Sequence, residues 1–343
     1  MKQLKKHVLS LGLFLLLFLL TFYFIFSKYP VSEFLSSLKN CNPQNIFIAF
    51  LCVIFYLLFG SLFLKKIMKS LKSPISFFHS LCYCAIEIYF SAITPSSTGG
   101  QPAEIYYMSK SGIPLEKSTI AIFINTILYK LVIVILLLIS IIVFPKRILG
   151  NGILFNSLMF LGMGLNILAI SFFTCLLFSK KLPSKIIKSV VKLLKKAHII
   201  KKEKQEALDR KSETLITEYH SYAFFIKQNR VLLWKLFFII LLQRICLFSV
   251  SYFVYRAFGL QEYNYLQIVL FQIAITSAID SVPSPGGVMI GEGLTFQIHT
   301  LIYGSTFALS SMLLLRGISF YFLVLICSFL YLYYHFFGRK KEV

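Results

Sequence analysis

The chain has 343 residues, of which 57% are apolar and only 14% charged, and its formal net charge is +22. Soluble domains average about 45–50% apolar and about 25% charged residues, so this composition excludes an ordinary water-soluble protein. The positive charge sits in short segments between apolar runs. That is the pattern of membrane topology determinants, and it argues against nucleic-acid binding.

About 20 apolar residues cross the hydrocarbon core once, so the pattern predicts an all-α, polytopic transmembrane helical bundle. Lys2, Lys5 and Lys6 precede a first apolar run at 8–26. The run is long and no small-residue cleavage site follows it, so it reads as an uncleaved first helix rather than a signal peptide. Further runs follow at about 44–64, 75–93, 119–144, 153–178, 232–258 and 307–337, with an interrupted pair over 265–304.

Lysine and arginine placement orients these runs. Lys65, Lys66, Lys69 and Lys72 follow the second run, and Arg339, Lys340 and Lys341 close the chain. Fifteen basic residues lie from Lys180 to Lys235 against five acidic ones. All of these belong in the cytoplasm, which places both termini there. Parity then requires residues 72 and 117 to lie on the same side, so the intervening 75–112 cannot cross once. The expected solution is a re-entrant hairpin that turns at 94–101. Residues 265–304 must likewise start and end on the outer side, giving a second hairpin entered from the opposite face. About 44–144 and about 232–337 are therefore candidate inverted repeats within a single membrane domain.

The two breaks support this reading. The first is TPSSTGGQPAE at 94–104 and the second VPSPGGVMIGE at 282–292. Each carries proline, a glycine pair and a glutamate nine residues after its first proline. Paired Gly/Pro interruptions in two halves of a membrane protein point to a transport site at the repeat interface. Irregular backbone at membrane depth survives only where protein or a water-filled cavity satisfies it. Segment 180–231 differs in kind. Lys185, Lys188, Lys192, Lys195 and Lys196 alternate with Ile186, Ile187, Val190, Val191, Leu193 and Leu194. This predicts a basic amphipathic helix on the anionic inner leaflet, with a solvated linker as the alternative.

Ionisable residues within apolar spans are costly and mark function by default. Seven qualify here: Glu87, Glu104, Lys130, Arg244, Asp280, Glu292 and Arg316. An arginine fork binds phosphate oxygens in two-pronged fashion, and a carboxylate holds an amine. Glu104, Arg244, Glu292 and Arg316 are therefore the candidate headgroup ligands. Gly99, Gly100, Gly286 and Gly287 would let backbone approach a lipid and expose helix N-termini that favour anions. Glu87, Lys130 and Asp280 are candidate coupling or charge-pairing residues; simple helix-to-helix pairing is the alternative for each. No catalytic constellation, nucleotide-binding loop, cofactor site or metal-ligand spacing is present in the sequence. The seven cysteines, Cys41, Cys52, Cys82, Cys84, Cys175, Cys246 and Cys327, form no disulfide framework.

With Pro114 and the second PSPGG segment, the two motifs resemble the lysylphosphatidylglycerol synthase transmembrane (flippase-like) family over roughly 8–337. The resemblance implies a bacterial cytoplasmic-membrane protein that moves a lipid, such as an aminoacylated phosphatidylglycerol, between leaflets. Full-length members carry a cytoplasmic domain that transfers lysine from charged tRNA to lipid. This chain ends six residues after Phe337, so that domain is expected to be missing. A lipid translocase acting on anionic, zwitterionic or aminoacylated headgroups is the resulting expectation. A phosphatidylglycerol lysyltransferase-type enzyme, a membrane partner of a separate lipid synthase, and a small-solute secondary transporter are the alternatives.

Overall fold

The computed structural model describes residues 36, 38–94, 97–150, 152–179, 184–185, 189, 205–280 and 290–337, with the side chains of 205–212, 215, 280 and 290–294 outside the description. The first apolar run, most of the lysine-rich 180–204 stretch and the 281–289 break lie outside the described residues. Within them the secondary structure is helical: α1 Pro43–Ser70, α2 Phe77–Ile93, α3 Gly100–Lys110, α4 Leu115–Val143, α5 Pro145–Leu149, α6 Ile153–Phe178, α7 Gln205–Gln228, α8 Arg230–Ala257, α9 Tyr265–Asp280, α10 Ile290–Arg316 and α11 Leu323–Phe337. A π-helical stretch, Gly317–Phe322, joins α10 to α11. Among the described residues, five segments are long and apolar enough to cross a membrane by length and composition: α1, α4, α6, α8 and Thr295–Phe337, the last of which contains a turn.

Local chemistry sets the helix starts. The Asn42 side chain accepts hydrogen bonds from the backbone N–H groups of Gln44 (2.9 Å) and Asn45 (3.4 Å), and Pro43 occupies the first turn, where its missing N–H costs nothing. Ser76 caps α2 through the His79 N–H (3.1 Å), and Asn229 caps α8 through the Leu232 N–H (3.1 Å). α1 runs six residues beyond the apolar stretch, so Lys65, Lys66 and Lys69 lie on the helix itself. α3, with 11 residues, is about 16 Å long at 1.5 Å per residue and falls short of the hydrocarbon thickness of about 30 Å.

The central pair is α1 against α8, which pack along their lengths. They run antiparallel: the Asn42 N–H at the start of α1 donates to the Ala257 carbonyl at the end of α8 (2.8 Å), and Gly60 lies against Gln243 further along. α2 packs on α1, α3 and α11; α9 packs on α8, α6 and α4. Lipid tails are as apolar as leucine, so close packing and interhelical polar contacts must hold such a bundle together. Buried aromatic side chains supply much of that packing, with Tyr83, Tyr255, Tyr331 and Tyr334 among the largest fully enclosed ones. Phe47, Phe55, Ile142, Ile153, Leu168, Trp234 and Phe329 are exposed and give the bundle an apolar surface suited to lipid.

α10 is bent back on itself at Gly304 (φ 75°, ψ 162°). Residues 12 apart would be about 18 Å from each other in a straight helix, yet His299 Nδ1 and Ser311 Oγ are hydrogen-bonded at 2.8 Å across this turn. The dihedrals lie in a region open essentially to glycine alone. Gly304→Ala is expected to cost about 1–3 kcal/mol, read as a lower thermal-unfolding midpoint of the detergent-purified chain.

Candidate functional site

Three of the seven ionisable residues singled out in the sequence converge on one polar cluster inside the bundle. Glu87 comes from α2, Glu104 from α3 and Arg244 from α8. The guanidinium carbon of Arg244 lies 3.8 Å from the centroid of the Tyr129 ring of α4 and 5.3 Å from that of Tyr56 of α1. Two aromatic faces thus hold the cation through their π quadrupoles. Arg244 acts electrostatically on Glu87, and Glu87 on Glu104. Glu104 is 4% exposed, whereas Glu87 and Arg244 are half-buried. A buried carboxyl beside a part-buried carboxyl–guanidinium set makes a polar island in an otherwise apolar bundle.

The turn between α2 and α3 brings the two acids together. Thr94 Oγ1 accepts a hydrogen bond from the Gly99 N–H (2.9 Å) and donates to the Phe90 carbonyl (2.7 Å). Gly100 then starts α3 directly against α2. A Cβ on Gly100 would stand 2.4 Å from the Glu87 carbonyl oxygen and nearer still to Ser91 Oγ. Only a glycine permits this approach, because the nearer backbone cannot move without displacing Glu87. Ser91 Oγ donates to Glu87 Oε1 (3.3 Å), and Gln101 Nε2 donates to Thr126 Oγ1 of α4 (2.7 Å). Gly100→Ala is accordingly expected to force α3 away from α2. Overpacking of this kind costs about 1–3 kcal/mol, and it should also lower any activity that needs the two acids side by side. Thermal unfolding and the activity assay together check this.

Further polar groups complete the cluster. Ser61 hydrogen-bonds Cys84, which also interacts electrostatically with Glu104, Glu87 and Cys327. Gln243 is packed over Gly60 beside Cys84, and its Oε1 is buried with no hydrogen-bond partner among the described residues. Tyr56, Tyr129, Gln243 and Cys84 were not legible as site residues, because tyrosine and cysteine inside an apolar run read as packing. Only the adjacency of Gln243 to Arg244 offered a signal.

Lys130 and Arg316 lie elsewhere. Lys130 points to α6, where its Nζ donates to Asn166 Oδ1 (2.8 Å), with the Tyr129 ring 5.0 Å below it. It therefore borders the cluster from a different interhelical seam. Arg316 acts on His299, in the fold-back of α10, and His299 also stacks on Tyr303 (centroids 4.7 Å apart, 10° between planes). Arg316 is thus placed with a buried histidine that the sequence reading passed over. The side chains of Asp280 and Glu292, and Gly286 and Gly287 altogether, lie outside the described residues.

The model of the lysylphosphatidylglycerol synthase TM region matches residues 8–327. The chain belongs to this family. A UPF0104 membrane protein of Archaeoglobus fulgidus is 33% identical over 105 residues, which cover 30% of this chain and 32% of that protein. The shared segment thus spans about a third of that relative's length. As a member of the lysylphosphatidylglycerol synthase TM region family, the chain is a multi-pass helical membrane protein, and the cluster around Arg244 lies in its spanning bundle.

Proposed function

We propose that the chain is a lipid translocase that passes the polar headgroup of an anionic, zwitterionic or aminoacylated phospholipid through the cluster of Glu87, Glu104 and Arg244. The observation that carries this is the mixed-sign cluster itself, which with Tyr56 and Tyr129 is built from five different helices of a membrane-spanning bundle. A phosphate suits Arg244, and ammonium or hydroxyl donors suit the two carboxyls and the unsatisfied Gln243 Oε1. The fatty-acyl tails would stay in the bilayer, so the protein need only shelter the headgroup. The outward apolar surface meets that need without a closed channel.

The packing pattern supports an inverted repeat as the framework. Exchanging α1, α2 and α4 with α8, α9 and α11 exchanges the α2–α11 contact with the α9–α4 contact, and leaves the antiparallel α1–α8 pair in place. On this reading α2–α3 and the segment after α9 are the two re-entrant hairpins. The basic ends lie in the bacterial cytoplasm, 180–231 rests on the anionic inner leaflet, and a separate synthase could supply the lipid.

The test is reconstitution of the purified chain into liposomes carrying fluorescent lipids with different headgroups, with dithionite bleaching of the outer leaflet. Loss of signal beyond about half, for headgroups with phosphate and a hydrogen-bond donor, is expected. Signal that stays at half for every headgroup, with and without an imposed ion gradient, would refute translocation.

A further inference from the structure

A file of hydroxyl and imidazole groups runs from one end of the bundle toward the Glu87–Glu104 pair. Three helices contribute to it in register. On α2, His79, Tyr83 and Glu87 are spaced four residues apart and share one face; on α3 and its C-cap the corresponding groups are Glu104, Tyr107 and the cap residue Ser111; on α11 they are His335, Tyr331 and Cys327. From His79 to Glu87 the rise is about 12 Å.

The hydroxyl groups of this file form two hydrogen-bonded sets. Tyr83 OH and Tyr334 OH are 3.1 Å apart, and Tyr334 OH is hydrogen-bonded to Ser111 Oγ. Tyr107 OH donates to Tyr331 OH (3.2 Å) and lies 3.3 Å from His335 Nδ1. Tyr331 stacks on Tyr89 (5.1 Å), and the His79 ring meets Tyr334 edge-on at 5.8 Å. Burial deepens along the file. His79 and His335 are part-exposed, Tyr107 is 6% exposed, and Tyr83, Tyr331 and Tyr334 are at most 2% exposed. A structural core needs apolar rings; it does not need four buried phenols whose hydroxyls are hydrogen-bonded pairwise and to a histidine.

We propose that this file is a proton path, which carries protons between the His79/His335 end of the bundle and the Glu87–Glu104 pair. At each phenol one proton is accepted on oxygen and the hydroxyl's own proton is passed on, so one proton moves and no group is oxidised or reduced. The histidines are part-exposed, and their ring nitrogens can collect the proton from water. The groups facing the acid pair are Cys84 on α2, Tyr56 on α1, Arg244 on α8, and Cys327 on α11; Lys130 of α4 is engaged by Asn166. Among the described residues, Arg244 is the cation that acts on the pair. Protonation of an acid would release that cation to a phosphate. The inference rests on the translocase reading for its biological use, making lipid movement proton-coupled, but access of protons to Glu104 can be measured without any lipid moving.

The experiment uses a hydrophobic carbodiimide on the full chain in oriented proteoliposomes, with internal and external pH set independently. A protonated carboxyl adds across one C=N bond, giving its proton to nitrogen and its oxygen to carbon, and the adduct rearranges to a stable N-acylurea with no atom lost. Mass spectrometry reads the adduct at Glu104. Labelling of the wild-type chain is expected to rise when only the His79/His335 side is acidified. A Tyr107→Phe/Tyr331→Phe pair should respond at least about tenfold more slowly. His335→Ala, whose side chain is partly outside the core, gives the same comparison should the tyrosine pair fold poorly. Labelling of the wild-type chain that follows the pH of the opposite side, or of neither, would overturn the proton path whatever the variants do. Sided labelling in a chain that moves no lipid would leave the path standing and remove the translocase.

Discussion

Arg244→Ala is expected to lower the thermal-unfolding midpoint of the detergent-purified chain by an amount equivalent to about 3 kcal/mol, and Glu87→Gln added to it is expected to recover most of that loss. Removing one partner of a buried charged set costs about 3–5 kcal/mol, chiefly because the other charge is left uncompensated. The lower end applies because Glu87 and Arg244 are half-buried rather than sealed. The neutral glutamine removes the stranded carboxylate while keeping the shape and the hydrogen bond from Ser91. A non-additive recovery of this kind is the signature of direct coupling between neighbouring groups. If the two substitutions simply add, Arg244 is held by the rings of Tyr56 and Tyr129 alone.

Glu104→Gln carries the largest expected effect on activity. The residue is 4% exposed and faces the Glu87 carboxylate across the α2–α3 turn, so its neutral amide should leave folding intact or slightly improved. A glutamine can neither hold an ammonium group as a carboxylate does nor take up a proton. Lipid translocation should therefore fall at least tenfold, or about 1.4 kcal/mol in barrier height, with an unchanged unfolding midpoint. Activity retained at the wild-type level in this folded variant would move Glu104 from the headgroup site to a packing role.

The helices were legible because apolar length and lysine placement are strong, local signals. Runs read at 119–144, 153–178 and 232–258 appear as Leu115–Val143, Ile153–Phe178 and Arg230–Ala257. The boundary errors have local causes. The charged ends of α1 and α4 stay helical since backbone hydrogen bonding continues beyond the apolar stretch, as at Lys65–Lys69 and Glu116. The run read as 307–337 also begins differently. Gly304 turns the chain, and Gly317–Phe322 widens it into a π-helix, neither of which an apolar count detects.

The site was partly legible for a related reason. Glu87, Glu104 and Arg244 stand out against apolar neighbours because a charge there is costly. Which charges meet is a property of packing. Arg316 joins His299 rather than Arg244 because the turn at Gly304 lays the second arm of α10 along the first, and Lys130 is drawn to Asn166 on α6. In a chain with 19 tyrosines and 36 phenylalanines, no single tyrosine signals its hydroxyl's role, and Tyr129 and Tyr331 acquire theirs only from partners on other helices.

The most direct test of the polar cluster as a lipid path is dithionite-read translocation by the Arg244→Ala/Glu87→Gln chain, once its unfolding midpoint shows the expected recovery. Fluorescent lipid that remains half-protected, as in protein-free liposomes, beside a wild-type chain that exposes more than half, is the expected result. Translocation at the wild-type rate by that folded double variant would contradict it and place the lipid's route elsewhere on the bundle.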